Sequence, residues 1–407
     1  MLRSTTGNVA VIAALSFVPL GVAIGIGAEL SAVQAERSLM QAAADAVALS
    51  IARETSVAGS QQRDISALAQ TQGVAQLGGF EQRATVTFTA SRANNGALVV
   101  EGLAVRPSFF GDLLPPGGFR INVRSVAEPV DQQPLCVIGD DATVGGTAIS
   151  GRNTSAIRAG RCLVHANSNF NLLNSATVQA GSVRVTGVAT GTGFSPTADT
   201  GALRLNDPFR SRAITPPVAC ASVPDGGTQN HASGTVRLTP GVHRTEYNMS
   251  GTAVLALDPG EHWFCSSIRM RGLSRIEGED VALFMMGGTQ FSARESTSVS
   301  LSGRRSGAWA GFVLVSSRGT YANTEIASSN VDRLLGTVYL PMSRLIVSAN
   351  GDVAENSQWS VVVARNINLS NAAQLVINSD YAGSPVPVPV GVGDRAGQGP
   401  SGVRLTE

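Results

Sequence analysis

Four cysteines, four histidines and a tight group of acids are the residues whose types and spacing could do chemistry. The cysteines are Cys136, Cys162, Cys220 and Cys265. No pair has the C-x-x-C spacing of a zinc or redox site. An even count in an exported chain suggests disulfides. Four cysteines allow three pairings. The nearest-in-sequence one, Cys136–Cys162 with Cys220–Cys265, is expected, each bridge contributing about 3–4 kcal/mol through loop entropy.

The histidines are His165, His231, His243 and His262. His243 and His262 hold the same place in two related segments, Leu238-Thr239-Pro240-Gly241-Val242-His243 and Leu257-Asp258-Pro259-Gly260-Glu261-His262, offset by 19 residues. Stacked on adjacent turns of a coil they would lie about 5 Å apart, close enough to share a metal. A structural ladder at a turn is the preferred reading. Glu277, Glu279 and Asp280 could bind calcium or act as carboxylates, as in β-helix lyases. A paired-carboxylate mechanism needs two groups about 5–10 Å apart across a substrate, and neighbouring acids on one turn are more often solvated. Asp140-Asp141 is a weaker version of the same group. Gly145-Gly146 and Gly287-Gly288 precede no helix and no lysine, so they are not phosphate loops. Trp263, Trp309 and Trp359 are scattered and read as core or edge plugs. No catalytic constellation stands out, so no enzyme, cofactor or metal is expected.

The elements that must position these residues begin with an apolar span. Residues 9–28 carry no charge, and none occurs between Arg3 and Glu29. A helix of about 20 residues is roughly 30 Å long, the thickness of a bilayer core. The leader, residues 1–8, carries Arg3 and no acid, so it stays in the cytoplasm and the remainder is exported. A cleaved signal peptide is the rival, with Val33-Gln34-Ala35 as the small-residue site. Its apolar region would run only about 7–15 residues, so a retained anchor is preferred. Helical pattern continues from Glu29 to about Ala58. Leu30, Val33, Met40, Ala44, Val47 and Ile51 form an apolar stripe, and Gly59 and Ser60 end it.

Two stretches carry a resemblance. Gly7-Asn8-Val9-Ala10-Val11-Ile12-Ala13 opens the span, and Ser38-Leu39-Met40-Gln41-Ala42-Ala43-Ala44-Asp45-Ala46-Val47-Ala48-Leu49 follows it. Together, over residues 6–52, they resemble the N-terminal segment of the TadE/TadG-like Flp pilus-assembly family. Pilins of such systems carry a glutamate five residues after the cleavage-site glycine. Ile12 stands there, so the chain is more similar to the unprocessed, TadG-like branch. The resemblance implies a single-pass inner-membrane protein with its N-terminus in the cytoplasm and its bulk periplasmic or surface-facing. It also implies partners among the pilus-assembly proteins of the same system.

Beyond the helix, residues 83–90 and 97–105 alternate with period two around the turn signal Asn94-Asn95-Gly96. Residues 119–127 read as a third strand after a greasy connection, 109–118. Residues 29–130 are therefore expected as a pilin-like α+β domain, a long helix covered by a small antiparallel sheet. From 131 to 384 Gly, Ser, Thr, Asn and Val dominate and no helix is expected. Small polar turns followed by alternating strands recur at Asn174, Gly251, Gly272, Glu295 and Asn371. Periods near 20 residues without helix point to a right-handed parallel β-solenoid, a β-helix; a β-sandwich is the rival. Asn and Gly suit its corners, which need left-handed backbone. Strands near 281, 312, 336, 345 and 360 are greasy enough to be buried on both faces. Residues about 187–217 read as a loop leaving the stack between two halves. Residues 385–407, rich in Pro and Gly, read as a flexible tail.

All 30 basic residues are arginine, and the net charge of +1 implies no nucleic-acid partner. The expected function is a membrane-anchored structural or assembly component of a tight-adherence pilus. The alternative is a polysaccharide-acting enzyme or carbohydrate-binding adhesin on a β-helix. A processed pseudopilin with Asn8 as its mature N-terminus is a third reading. Oligomeric state is left open.

Overall fold

The computed structural model describes residues 6–55, 62–93, 97–108, 117–129, 134–392 and 403–405. The predicted turn at Asn94-Asn95-Gly96, the helix stop at Gly59 and Ser60, and residues 109–116 of the greasy connection lie outside them, as do residues 1–5 and 393–402. The chain divides into two compact units: Met1–Thr55 with Gln61–Val130 and Pro400–Glu407, and Ser56–Ser60 with Asp131–Gly399.

In the first unit, helix α1 runs Thr6–Thr55. Its C-terminal half is alanine-rich, and small side chains let the sheet approach closely. Met40, Ala44, Val47, Ala48 and Ile51 are buried against Phe88, Val100, Ala104, Ile121 and Val123. The sheet gives way to match: a Cβ on Gly102 would lie 2.7 Å from Val123 Cγ2 and 2.9 Å from Phe88 Cε1. The buried stripe starts at Val33, which packs at its margin. Leu30, expected within it, is 51% exposed. Among the described residues no helix is long and apolar enough to cross a membrane. Of the expected span 9–28, the side chains of residues 9–14, 16, 18, 19 and 21 lie outside the described residues.

Strands β1 (Thr85–Arg92), β2 (Leu98–Arg106) and β3 (Phe119–Pro129) form an antiparallel sheet, with Ala90 opposite Val100 and Val100 opposite Ser125. Two features were not expected. Helix α2, Gln62–Ala75, follows α1 and buries Ile65 and Ala69. Its Gln70 covers the free edge of β1, accepting from Phe88 N at 2.6 Å and donating to Val86 O at 3.2 Å. An edge sealed in this way offers no template to another chain. The second is a fourth strand, Val403–Leu405, paired with β3. Residues 403–405 of the expected flexible tail, 385–407, are thus held in a sheet, while residues 393–402, 406 and 407 lie outside the described residues.

The second unit is built from short strands. Among the described residues it holds no α-helix, and 23 of its strands belong to one sheet. Every ladder between them is parallel, and most strands pair with the strand one turn of chain away. That pairing fits a β-solenoid and excludes an antiparallel sandwich. The predicted corner residues have left-handed backbone: φ is 60° at Asn174, 51° at Gly251, 69° at Gly272, 61° at Glu295 and 61° at Asn371. Asn174 and Asn153 lie on adjacent turns and are joined by a side-chain hydrogen bond of 3.2 Å.

The winding order is not the order of the chain. The unit begins at Leu135–Gly139, and successive turns place Val137 beside Val164 and Val164 beside Val183. The chain then reaches Asp199–Thr200 at one end of the sheet. It resumes at Gly227–His231, at the opposite end. From there it winds back, and its last turns dock on its first: Val363 lies beside Ile138, Ile367 beside Ile149 and Gln374 beside Ala156. The entry strand is therefore interior, and the stack closes on a seam between residues remote in sequence.

The predicted loop 187–217 divides in two. Residues 189–200 stay on the stack as three short strands. Residues 201–226 connect the two ends as a strap. Leu205 and Phe209 are buried with Trp309, Phe312 and Tyr339 in a second apolar cluster, separate from the coil interior. Asn167 clamps Leu205 from both sides, accepting from its N–H at 2.9 Å and donating to its carbonyl at 2.6 Å. Arg318 donates to Asp207 and to the carbonyls of Phe209 and Arg210, and Tyr339 donates to Asp207 at 2.6 Å. The segment expected as the start of a tail packs into the same cluster: Val386 is buried, and Trp359 Nε1 donates to Ser384 Oγ and the Val386 carbonyl, each at 3.1 Å. This explains the two-sided grease of Val281–Met285, Phe312–Ser316 and Ser360–Ala364. One face meets the coil interior, the other the strap and the 384–392 segment.

Candidate functional site

Cys136 is bonded to Cys162 and Cys220 to Cys265, with Cα–Cα distances of 5.5 and 5.7 Å. The first bridge ties the entry strand to the next turn. The second ties the far end of the strap to the close of the second turn after it, just past Gly260–Phe264.

Two of the four histidines form a ladder. His243 and His262 stack with ring centroids 5.4 Å apart, and His243 Nε2 lies 3.2 Å from His262 Nδ1. His262 Nε2 meets the Asp258 carbonyl at 2.8 Å, which requires the proton on Nε2 and leaves Nδ1 to accept from His243. Burial holds both rings below the usual histidine range, His243 at about 4. The register differs from the 19-residue repeat. Leu238 pairs with Leu257 as expected, but Gly241 pairs with His262 and His243 with Phe264, two residues later. The rings meet diagonally. Among the described residues no group of three or more His, Cys, Asp or Glu could hold a metal.

The acidic group is occupied by arginines. Glu279 pairs with Arg305 at 3.2 Å and Arg333 at 2.8 Å, Asp280 with Arg304 at 2.6 Å, and Glu277 with Arg275 at 3.7 Å. Asp140 is half-buried beside the strap, and desolvation raises its carboxyl to about 6 despite a hydrogen bond from Asn167. The Asn167 amide that donates to it also donates to the Leu205 carbonyl. All three tryptophans are buried in the second cluster, Trp263 flat on Phe284 at 3.7 Å.

The arrangement that could hold a ligand lies elsewhere, in a groove of about 630 Å³ on the outer surface of the stack across the seam. Adjacent turns place polar side chains in register there. Asn171 follows Ser150, which lies beside Asn368. Arg344 lies beside Asn366, whose amide donates to the Thr147 carbonyl at 2.8 Å. Ser150 donates to Asn368 at 3.2 Å and Asn171 to Thr147 at 3.1 Å, so the amides are held in place yet keep hydrogen-bonding capacity. Arg152, Arg365 and the exposed ring of Tyr321 also line it. Asp141 is the one carboxylate among the lining residues; hydrogen bonds from Thr143 and Asn366 hold it below its usual range.

Sequence reasoning did not find this groove. Its residues come from 141–173, 321–344 and 365–368, and only the winding brings them together. The asparagine-rich stretch around Asn167–Asn174 was the available signal, and it marks one wall. Compared with protein-family models, curated proteins and solved structures, the chain matches none of them.

Proposed function

We propose that this chain is a membrane-anchored structural or assembly component of a tight-adherence, Flp-type pilus system, acting by protein–protein contact. In this reading α1 is an anchor for its first half and the spine of a pilin-like domain for its second. The second unit is a right-handed β-solenoid held in the periplasm or at the surface. The observation that carries the proposal is the asymmetry of α1. Leu15 and Phe17 are 70% exposed and Ile24 66%, whereas Met40 to Ala52 on the sheet-facing stripe are almost wholly buried. Large apolar side chains left bare on one end of a helix call for a covering, and the uncharged run from residue 9 to 28 makes lipid the fitting one. The two disulfides agree with an oxidising compartment.

A polysaccharide enzyme on the same scaffold draws no support from Glu277, Glu279 and Asp280. Their carboxylates are taken up by Arg275, Arg304, Arg305 and Arg333 rather than set across a cleft. In vivo crosslinking followed by pull-down from membranes tests the assembly reading. Recovery of the secretin or platform proteins of a pilus system is expected. Recovery of none of them contradicts it.

A further inference from the structure

The groove across the seam combines features that protein packing does not require. Elsewhere on the stack the arginines are largely paired: Arg237 with Asp258, Arg269 with Glu246, Arg294 with Glu325, Arg304 with Asp280 and Arg318 with Asp207. In the groove, Arg152 and Arg344 form no ion pair among the described residues, and both are exposed. Arg365 has Asp141 within Coulombic reach, without an ion pair. Three guanidinium groups thus face one carboxylate, and the groove is electropositive on a chain of nearly zero net charge.

We propose that this groove binds an acidic polysaccharide of the uronate type, laid along the stack. Three observations carry the proposal. The first is spacing. Adjacent strands of a parallel sheet lie about 4.8 Å apart, close to the advance of one sugar unit along an extended glycan. Successive turns therefore offer Asn171, Ser150 and Asn368 to successive sugars. The second is chemistry. Amides and hydroxyls match sugar hydroxyls as both donors and acceptors, and Arg152 and Arg344 can each take a carboxylate through paired N–H bonds. The third is Tyr321, 64% exposed at the groove wall, where a flat ring can lie against a pyranose face. Asp141 repels a uronate at its own turn, so ligand carboxylates fall beside Arg152 and Arg344. The inference does not depend on the pilus reading, since binding is measured on the isolated chain.

Titration calorimetry of the purified full-length chain with hexagalacturonate, cellohexaose and inorganic phosphate tests it. Hexagalacturonate is expected to bind, and Arg152→Gln with Arg344→Gln to weaken it roughly tenfold or more. Asn171→Ala with Asn368→Ala weakens it severalfold, and Arg237→Gln, remote from the groove, leaves it unchanged. Unaltered melting of the arginine variant shows that the loss is not unfolding. Failure to bind hexagalacturonate, equal binding of cellohexaose, or indifference to the groove substitutions overturns the proposal. So does displacement by phosphate at equal concentration, which marks a bare anion site.

Discussion

Asn366 donates through Nδ2 to Asp141 Oδ2 at 2.9 Å across 225 residues of chain. The bond lies on the seam where the last turns of the stack dock on the first. The same amide also satisfies the Thr147 carbonyl. Asn366→Ala removes both bonds and is expected to cost about 1–3 kcal/mol in denaturant unfolding. Ile138→Ala, on the neighbouring seam strand and fully buried, is expected to cost about 2–5 kcal/mol. Each variant should still unfold in one transition for the second unit. Two separated transitions would show that the halves do not share a seam.

The strap is held by a few groups rather than by a ladder. Asn167→Ala leaves the Leu205 N–H and carbonyl without their buried partner, at a cost of about 1–3 kcal/mol per group. Phe209→Ala opens a hole among Phe312, Tyr339 and Trp309, at about 3–5 kcal/mol. Limited proteolysis under native conditions should cut both variants within residues 201–226 well before the wild type. The Cys220–Cys265 bridge encloses a sequence separation of 45, and Cys220→Ser with Cys265→Ser should cost about 4 kcal/mol by loop entropy.

Acid should loosen the stack. Burial depresses His165 to about 3 and His243 to about 4. Both therefore take up protons in the unfolded chain before the folded one as pH falls below 6.5. Their contribution is complete above that value and is lost on the way down to about 4 and 3. Asp140 works in the opposite sense. Its carboxyl, raised to about 6, favours the folded state below 3.8 and loses that contribution as pH rises through 6. Urea midpoints between pH 4 and 8 should fall towards acid. His243→Gln should flatten that fall and Asp140→Asn should steepen it. A midpoint that rises as pH drops from 6.5 would contradict these assignments.

Local geometry was legible in the sequence, and stacking order was not. Asn174, Gly251, Gly272 and Asn371 read as corners because Asn and Gly tolerate left-handed backbone, and all four adopt it, as does Glu295 at the start of its polar turn. The two-sided apolar strands implied an outer cover, although nothing local said that the cover is the 201–226 strap with Val386 and Val392. Helix α2 carried a signal, Ile65, Leu68 and Ala69 at helical spacing, masked by the polar run around Gln70 and Gln72. The C-terminal prolines suggested a free tail because composition does not report that Gly311 makes room for Pro387 and Pro389. The His243–His262 contact was anticipated, but two inserted residues shifted its register. The groove depends on Asn366, with Arg344 beside it, meeting Thr147 across the seam, which no periodicity encodes.

Protease added to spheroplasts tests the tethering most directly. The account predicts that the chain sediments with membranes, that external protease digests the second unit while cytoplasmic proteins survive, and that Cys136, Cys162, Cys220 and Cys265 resist alkylation until reduced. A full-length chain untouched in intact spheroplasts, released into the soluble fraction on lysis with four reactive thiols, would contradict it.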